Sequence, residues 1–339
     1  MHYLITGGAG FIGSHLSELL LAAGHTVTVL DDFSTGRIEN IQHLLDHPER
    51  RDRFKLIRGS VEDEQTTGLA VSAADGVFHL AAAVGVQLIA DEPVHTIRTI
   101  IRGTEVVLEA ANRWRKPVLI TSSSEVYGKG TRVPFSEDDD IAIGPTVHAR
   151  WCYAYAKGID EFLGLAYHKQ FDLPVVVARL FNTVGPRQVG QYGMVLPRFV
   201  DRALAGEDLL VTGDGEQTRC FAHVHDVATA LIKLLESSDA VGQVFNVGSD
   251  EEVSIKSLAE RVIEKVGSGS SVIPTPYEKI YGQHFEDVPR RVPDLSRIER
   301  TVGFSRKFDL DGILDAVVTD RKKMAAETAR QSGGAAYAR

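Results

Sequence analysis

Residues Tyr3 to Gly13 read YLITGGAGFIG, and the rest of the chain is arranged around them. Tyr3, Leu4, Ile5 and Thr6 have strand preference and run into a glycine-rich turn. The apolar residues that follow predict a helix over Phe11 to Ala22. The glycines fall at Gly7, Gly10 and Gly13. A strand-to-helix turn this tight needs φ > 0, which glycine reaches at little cost. A missing Cβ lets the backbone close on a pyrophosphate, whose charge then sits at the helix N-terminus. The last glycine lets the helix pack close to the strand.

The next strand, Thr26 to Leu30, ends in Asp31, 18 residues past Gly13. A dinucleotide fold places there the carboxylate that binds the adenosine ribose hydroxyls. A carboxylate repels a 2′-phosphate, so the pattern predicts NAD rather than NADP. Further strands are expected at Phe54–Ser60, Gly76–Gly85, Pro117 onward and Pro174–Phe181, with helices from about Val94 to Trp114 and from Arg150 to Gln170. Strands alternating with helices predict an α/β fold with a doubly wound, Rossmann-type parallel sheet. Ala81, Ala82 and Ala83 leave space for a flat ligand over the sheet edge.

Beyond Asn182 the loops lengthen. Helices are predicted at Val195–Ala205, Val224–Leu235, Ile255–Val266 and Leu310–Lys323, and Gln243–Val247 is apolar enough to return to the main sheet. The expected organisation is a dinucleotide domain over 1–181 with 220–250 returning to it, a smaller α/β C-terminal substrate domain mainly over 182–323, and a flexible tail over 324–339.

Composition narrows the function classes. The chain has 339 residues, 43% hydrophobic and 24% charged, which suits a globular enzyme with a large core. The net charge of -9, with no basic block, argues against a nucleic-acid partner. No apolar run reaches the ~18 residues of a membrane span. The first residues already read as a strand, which leaves no room for a signal peptide. Cys152 and Cys220 suggest a reduced, cytoplasmic setting without disulfides. The histidines show no metal-ligand spacing, so no metal is expected, and His223 and His225 read as strand-end packing.

Tyr153 and Lys157 lie at i and i+4, so both share one helix face. Free tyrosine has a pKa of about 10. An ammonium beside it, with a positive nicotinamide ring, stabilises the phenolate and makes it a base near neutral pH. Tyr155 sits on another face. Ser123, at the end of the strand PVLITSSSEVYG, is placed to hydrogen-bond the same hydroxyl. Glu125 follows two residues on, a candidate general base or water-orienting group.

Together TGGAGFIG, DDFSTG, HLAA, SSSEVYG, the Tyr153–Lys157 pair, RLFNTVGPR and GDGEQTRCFAHVHDV resemble the extended short-chain dehydrogenase/reductases that act on nucleotide sugars. The resemblance implies a redox triad of Ser123, Tyr153 and Lys157. It implies an NAD site built from Gly7, Gly10, Phe11, Ile12 and Gly13; from Asp31, Asp32, Ser34 and Gly36; from Ser60 and Val61; from Leu80, Ala81 and Ala82; and from Tyr153 and Lys157. The substrate, most simply a UDP-sugar, would be met by Ser123, Ser124, Glu125, Arg150, Tyr153, Asn182, Arg187, Arg219 and Arg291. Asn182 and Arg219 are assigned to its diphosphate.

Within the family, RWCYAYAK, FNTVGPR and IYGQHFEDVPRRVPDLSRI are similar to UDP-glucuronate decarboxylases and UDP-apiose/UDP-xylose synthases. There the residues matching Glu125 and Arg291 serve decarboxylation, and the one matching Arg150 lines the site. Ser124 stands where the apiose-forming branch has a cysteine, which argues against ring contraction. The Ser124–Glu125 pair lacks one acid of the Asp–Glu pair of sugar 4,6-dehydratases. The expected reaction is decarboxylation of UDP-glucuronate to UDP-xylose, with 4-epimerisation of a UDP-sugar as the alternative. A non-catalytic NAD-binding scaffold would not need Ser123, Tyr153 and Lys157. Two departures stand out: Ser60 replaces the usual aspartate near adenine, and Ile100 replaces an asparagine near the nicotinamide. Relatives pair the helices from Val94 and Arg150 into a four-helix bundle, and Val106, Val107, Leu108, Phe162, Leu163 and Leu165 make a homodimer the expectation.

Overall fold

The computed structural model of the chain describes residues 1–85, 89, 91–190, 194–281 and 288–334. Seven strands form its central sheet: β1 (His2–Thr6), β2 (Thr26–Asp31), β3 (Phe54–Arg58), β4 (Gly76–His79), β5 (Val118–Ser123), β6 (Val175–Leu180) and β7 (Val244–Val247). The spatial order is β7-β6-β5-β4-β1-β2-β3, and neighbouring pairs run parallel. Parallel strands need crossovers that cover both faces, which is why their sequences are near-continuous apolar runs. β7 pairs with β6, so Gln243–Val247 does return to the main sheet.

The main helices are α1 (Phe11–Ala22), α2 (Glu64–Ala73), α3 (Pro93–Trp114), α4 (Trp151–Phe171), α5 (Val195–Leu204), α6 (Val224–Glu236), α7 (Ile255–Val266) and α8 (Leu310–Gly334). One core joins α1 to α6 through Leu16, Leu20, Val227 and Leu231. Another holds α2 and α3 against the strands through Val71, Val107, Ile120 and Val177. A third, around Phe199, Leu258, Val262, Ile313 and Leu314, gathers α5, α7 and α8. α7 is set by its ends: the Ser254 hydroxyl accepts from the Ser257 N–H, and Gly267 closes the last turn at φ +73.

Three expectations change. The strand predicted over Gly76–Gly85 stops at His79. The chain there folds over the first turn instead: the Leu80 N–H bonds the Thr6 carbonyl at 3.1 Å, and the Ala81 N–H bonds Thr6 Oγ1 at 3.2 Å. The helix expected to end at Lys323 runs to Gly334. Met324, Ala325, Ala326 and Glu327 are strong helix formers, so nothing stops it before the Gly333–Gly334 pair. The remainder of the expected tail, 335–339, lies outside the described residues, as do 282–287 of the IYGQHFEDVPRR motif. Finally, Val106, Val107 and Leu108 are buried within their own chain, whereas Val94 and Phe162 are 77% and 69% exposed. No described helix is long and apolar enough to cross a membrane.

Candidate active site

β1 neighbours both β2 and β4, so the crevice past the strand ends is a topological switch point. A cavity of roughly 500 Å³ opens there, lined by residues of the sheet edge and of the α5–α7 core. That volume suits a sizeable small molecule.

The glycine turn forms one wall. Gly7 has φ +70, and a Cβ on it would lie 2.8 Å from the Ala81 nitrogen. At Gly13 a Cβ would meet the Gly7 oxygen at 2.5 Å. Side chains at either position would fill the cradle. Asp31 closes the far end, where its Oδ2 accepts from the Ala9 N–H at 2.9 Å and its Oδ1 from the Phe33 N–H at 2.8 Å. Burial pushes this carboxyl up, against those two bonds. Asp32 accepts from the Ser34 N–H, and Gly36 lies so close to Asp31 that a Cβ would come within 2.6 Å of its oxygen. A bare backbone cradle at a helix N-terminus, with an acid beyond it, fits a dinucleotide. Phe11, Ile12, Val61, Leu80, Ala81 and Ala82 line the same cavity. Ser60 does not. Its hydroxyl turns back to accept from the Glu62 N–H at 3.2 Å, and Gly59 and Val61 flank the cavity in its place. Ile100 is fully buried against Tyr153, Ile89 and Ala156.

β5 delivers the reactive end. It stops at Ser123, and a single 3-10 turn, Ser124–Tyr127, follows. The Ser123 hydroxyl accepts from the Glu125 N–H at 3.2 Å and lies near enough to the Tyr153 phenol to favour its ionised form. Tyr153 and Lys157, on α4, are both buried. Tyr155 is 42% exposed and its hydroxyl donates to the Gly144 carbonyl. The sequence reading expects Lys157, together with a positive nicotinamide ring, to bring the phenol down. In the structure the phenol is pushed up, by burial first and by the Glu125 charge second, with the Ser123 hydroxyl opposing them. Lys157 Nζ lies 3.2 Å from the Asp160 carboxylate, which offsets its charge.

Glu125 lies between two arginines. Its Oε1 is 2.6 Å from an Arg291 nitrogen and its Oε2 is 3.3 Å from an Arg150 nitrogen. Burial alone would raise the Glu125 pKa, but Arg291 and Arg150 outweigh it and hold it at about 2. Such a carboxylate is a poor proton acceptor while both guanidinium groups stay on it.

Ser124, Asn182, Arg187 and Arg219 also line the cavity. Asn182 donates to the Cys220 carbonyl at 3.1 Å, and Arg219 to the Thr218 and Val288 carbonyls at 2.7 and 2.8 Å. Arg187 is turned toward α1, where its guanidinium pairs with Glu18 and bonds Ser14 Oγ. His223 stacks on Phe308 at 3.9 Å between ring centroids, which agrees with its reading as packing.

Sequence reasoning passed over a second layer. Glu161, one turn beyond Lys157, takes a two-pronged ion pair from Arg179 and a bond from the Ser122 hydroxyl. Arg179 also lies over the Tyr127 ring, and Tyr127 OH donates to Asn246 at 2.7 Å. This layer fixes the turn that carries Ser123 and Glu125 relative to α4. The signal was available: Lys157 and Glu161 share the spacing that joins Tyr153 to Lys157.

Residues 4–317 match the model of the family described as GDP-mannose 4,6 dehydratase. The chain belongs to this family. It is 43% identical over 302 residues to UDP-N-acetyl-alpha-D-glucosaminuronate decarboxylase of Bacillus cytotoxicus, covering 89% of this chain and 91% of that one. It is 36% identical to UDP-glucuronic acid decarboxylase 1 of Xenopus tropicalis, over 93% of this chain and 70% of the other. The fold matches the crystal structure of the UDP-glucose 4-epimerase of Thermus thermophilus in complex with NAD at a TM-score of 0.81, with 27% identity, covering 94% of this chain and 98% of that one.

Proposed function

We propose that this chain is an NAD-dependent nucleotide-sugar decarboxylase that converts UDP-glucuronate to UDP-xylose through transient oxidation of the sugar C4. One observation carries the reading: Glu125 holds Arg291 and Arg150 beside the Ser123–Tyr153 pair, on the wall of the same cavity. Both relatives are named as decarboxylases of UDP-linked uronic acids, which supports the reaction type, and the one from Xenopus tropicalis is named for UDP-glucuronate.

NAD, held along the glycine turn, would accept the hydride from C4 and give it back to the C4 ketone once carbon dioxide has left, with Tyr153 returning the proton to the C4 oxygen. Ser123 orients the C4 hydroxyl and Tyr153 takes its proton. With a ketone at C4, the C6 carboxyl belongs to a β-keto acid and leaves as carbon dioxide, its electrons passing to the ketone. Arg291 and Arg150 offer the planar forks that a carboxylate needs. Once they turn to the substrate, Glu125 loses the charges that hold it near 2 and becomes able to handle the proton that C5 must gain. Asn182 and Arg219 face the diphosphate.

The test is to incubate the NAD-loaded protein with UDP-glucuronate, and separately with UDP-glucose, and to follow products by NMR. UDP-xylose and carbon dioxide from the first are expected. Unchanged UDP-glucuronate, or UDP-galacturonate without carbon dioxide, contradicts the reading. A second reading, 4-epimerisation, draws on the shared fold with a UDP-glucose 4-epimerase, and UDP-galactose from UDP-glucose would favour it.

Residues 1–181 with 220–250 form the NAD-binding domain, and 182–323 mainly the sugar-nucleotide domain. The protein works in the cytoplasm, where Cys152 and Cys220 stay free thiols. Two copies pair through α3 and α4, across Val94, Ile97, Ile159 and Phe162, all exposed in the single chain. A light-scattering mass of one 37.0 kDa chain at micromolar concentration contradicts pairing.

A further inference from the structure

Asp160 is fully buried, three residues past Lys157, and its Oδ2 is 3.2 Å from Lys157 Nζ. Its Oδ1 has no hydrogen-bond partner among the described residues, although Thr104 of α3 lies against the carboxyl. A buried carboxylate left half-satisfied is costly, so packing alone does not account for it. Its charge reaches Tyr153 as well.

The surrounding charges can be named element by element. α4 itself brings Lys157, Asp160 and Glu161, the last neutralised by Arg179 of β6. The turn after β5 brings Glu125, already shared by Arg150 and Arg291. β4 brings His79, which burial, then Lys157, pushes to about 3, so it is neutral near pH 7. Cys152 lies beside Tyr153 with its thiol pushed up by burial. Lys157 is the cation that shares a helix face with Tyr153, one turn away, and Asp160 is its counter-charge.

We infer that Asp160 is a positioning residue for the redox pair: its carboxylate pins the Lys157 ammonium and offsets its charge, so that Tyr153 becomes a base only when a cationic nicotinamide ring is also present. This couples proton removal to the oxidised cofactor and leaves the phenol protonated beside the reduced one. The inference rests on the reading of Tyr153 as the base of an NAD-dependent step.

The test titrates Tyr153 by ultraviolet tyrosinate absorbance, its signal assigned by difference from Tyr153→Phe, without any sugar. In the parent, the midpoint with NAD⁺ should fall about one pH unit or more below the midpoint with NADH. In Asp160→Asn, the midpoint without cofactor should drop by about one pH unit, and the NAD⁺–NADH gap should narrow. An Asp160→Asn midpoint that stays put, or rises, overturns the inference even if thermal stability changes, because a merely structural role would move stability alone. Should that variant not fold, equal midpoints with NAD⁺ and NADH in the parent overturn it. No sugar enters these titrations, so failure to decarboxylate UDP-glucuronate leaves their outcome intact. Normal decarboxylation with equal midpoints removes the role of Asp160 only.

Discussion

Glu125 Oε1 lies 2.6 Å from a guanidinium nitrogen of Arg291, 166 residues further along the chain. The contact joins the turn after β5 to the segment before the Ser296–Val302 helix. Both ends line the cavity, and Arg291 is almost fully buried. A charge pair this enclosed matters most when one partner is removed.

Arg291→Ala should therefore lower kcat/KM for UDP-glucuronate by about 10²–10³, or about 3–4 kcal/mol. Arg291→Lys should recover only part of this, because an ammonium lacks the planar fork. Steady-state kinetics on both variants check this. Parent-like kcat/KM in Arg291→Ala would show that the clamp does not serve the substrate.

The glycine cradle makes a sharper prediction. In Gly13→Ala the new Cβ would meet the Gly7 oxygen at 2.5 Å and the Gly8 Cα at 2.6 Å, both backbone atoms that cannot step aside. NAD affinity should fall by at least about 10-fold, and added NAD should raise the thermal midpoint less than in the parent. Calorimetric titration reads the first and a thermal melt the second. Unchanged binding would place the cofactor elsewhere.

Acid stability follows from Glu18. Burial would raise its pKa, but hydrogen bonds from His15 and Arg187 lower it from 4.5 to about 2. A folded-state value below the unfolded one gives stability that is present above 4.5 and lost as the pH falls toward 2. With its side chain 29% exposed, the effect is discounted. Between pH 6 and pH 3 the parent should lose about 1–2 kcal/mol more than Glu18→Gln. Urea unfolding at the two pH values measures the difference, and equal losses would contradict it.

Local patterns carried much of the fold. The turn at Gly7, the acid at Asp31 and the Tyr153–Lys157 spacing are written in a few neighbouring residues, because strand, helix and tight turn each demand particular side chains at particular intervals. Glu125 and Arg291 are different. Nothing local links them, and only the resemblance to known decarboxylases placed both in one site. Ser60 shows the same limit from the other side: a motif position says which residue comes next, not which way its hydroxyl turns. Asp160 was invisible as a partner of Lys157, since i,i+3 acid–base pairs are common on solvated helix faces. Its burial comes from α3 packing across α4, a tertiary fact. The extension of α8 past Lys323 was readable from its helix formers; the small-residue end drew attention away from them.

The central claim is that the sugar lends its C4 hydrogen to a retained cofactor, loses C6, and takes the same hydrogen back. The most direct measurement runs UDP-glucuronate deuterated at C4 through the NAD-loaded protein in ordinary water and reads the product by NMR. The account predicts a UDP-pentose that keeps deuterium at C4, with a solvent hydrogen at C5 and carbon dioxide released. Deuterium lost from C4, or a product that still carries its carboxyl, would contradict it.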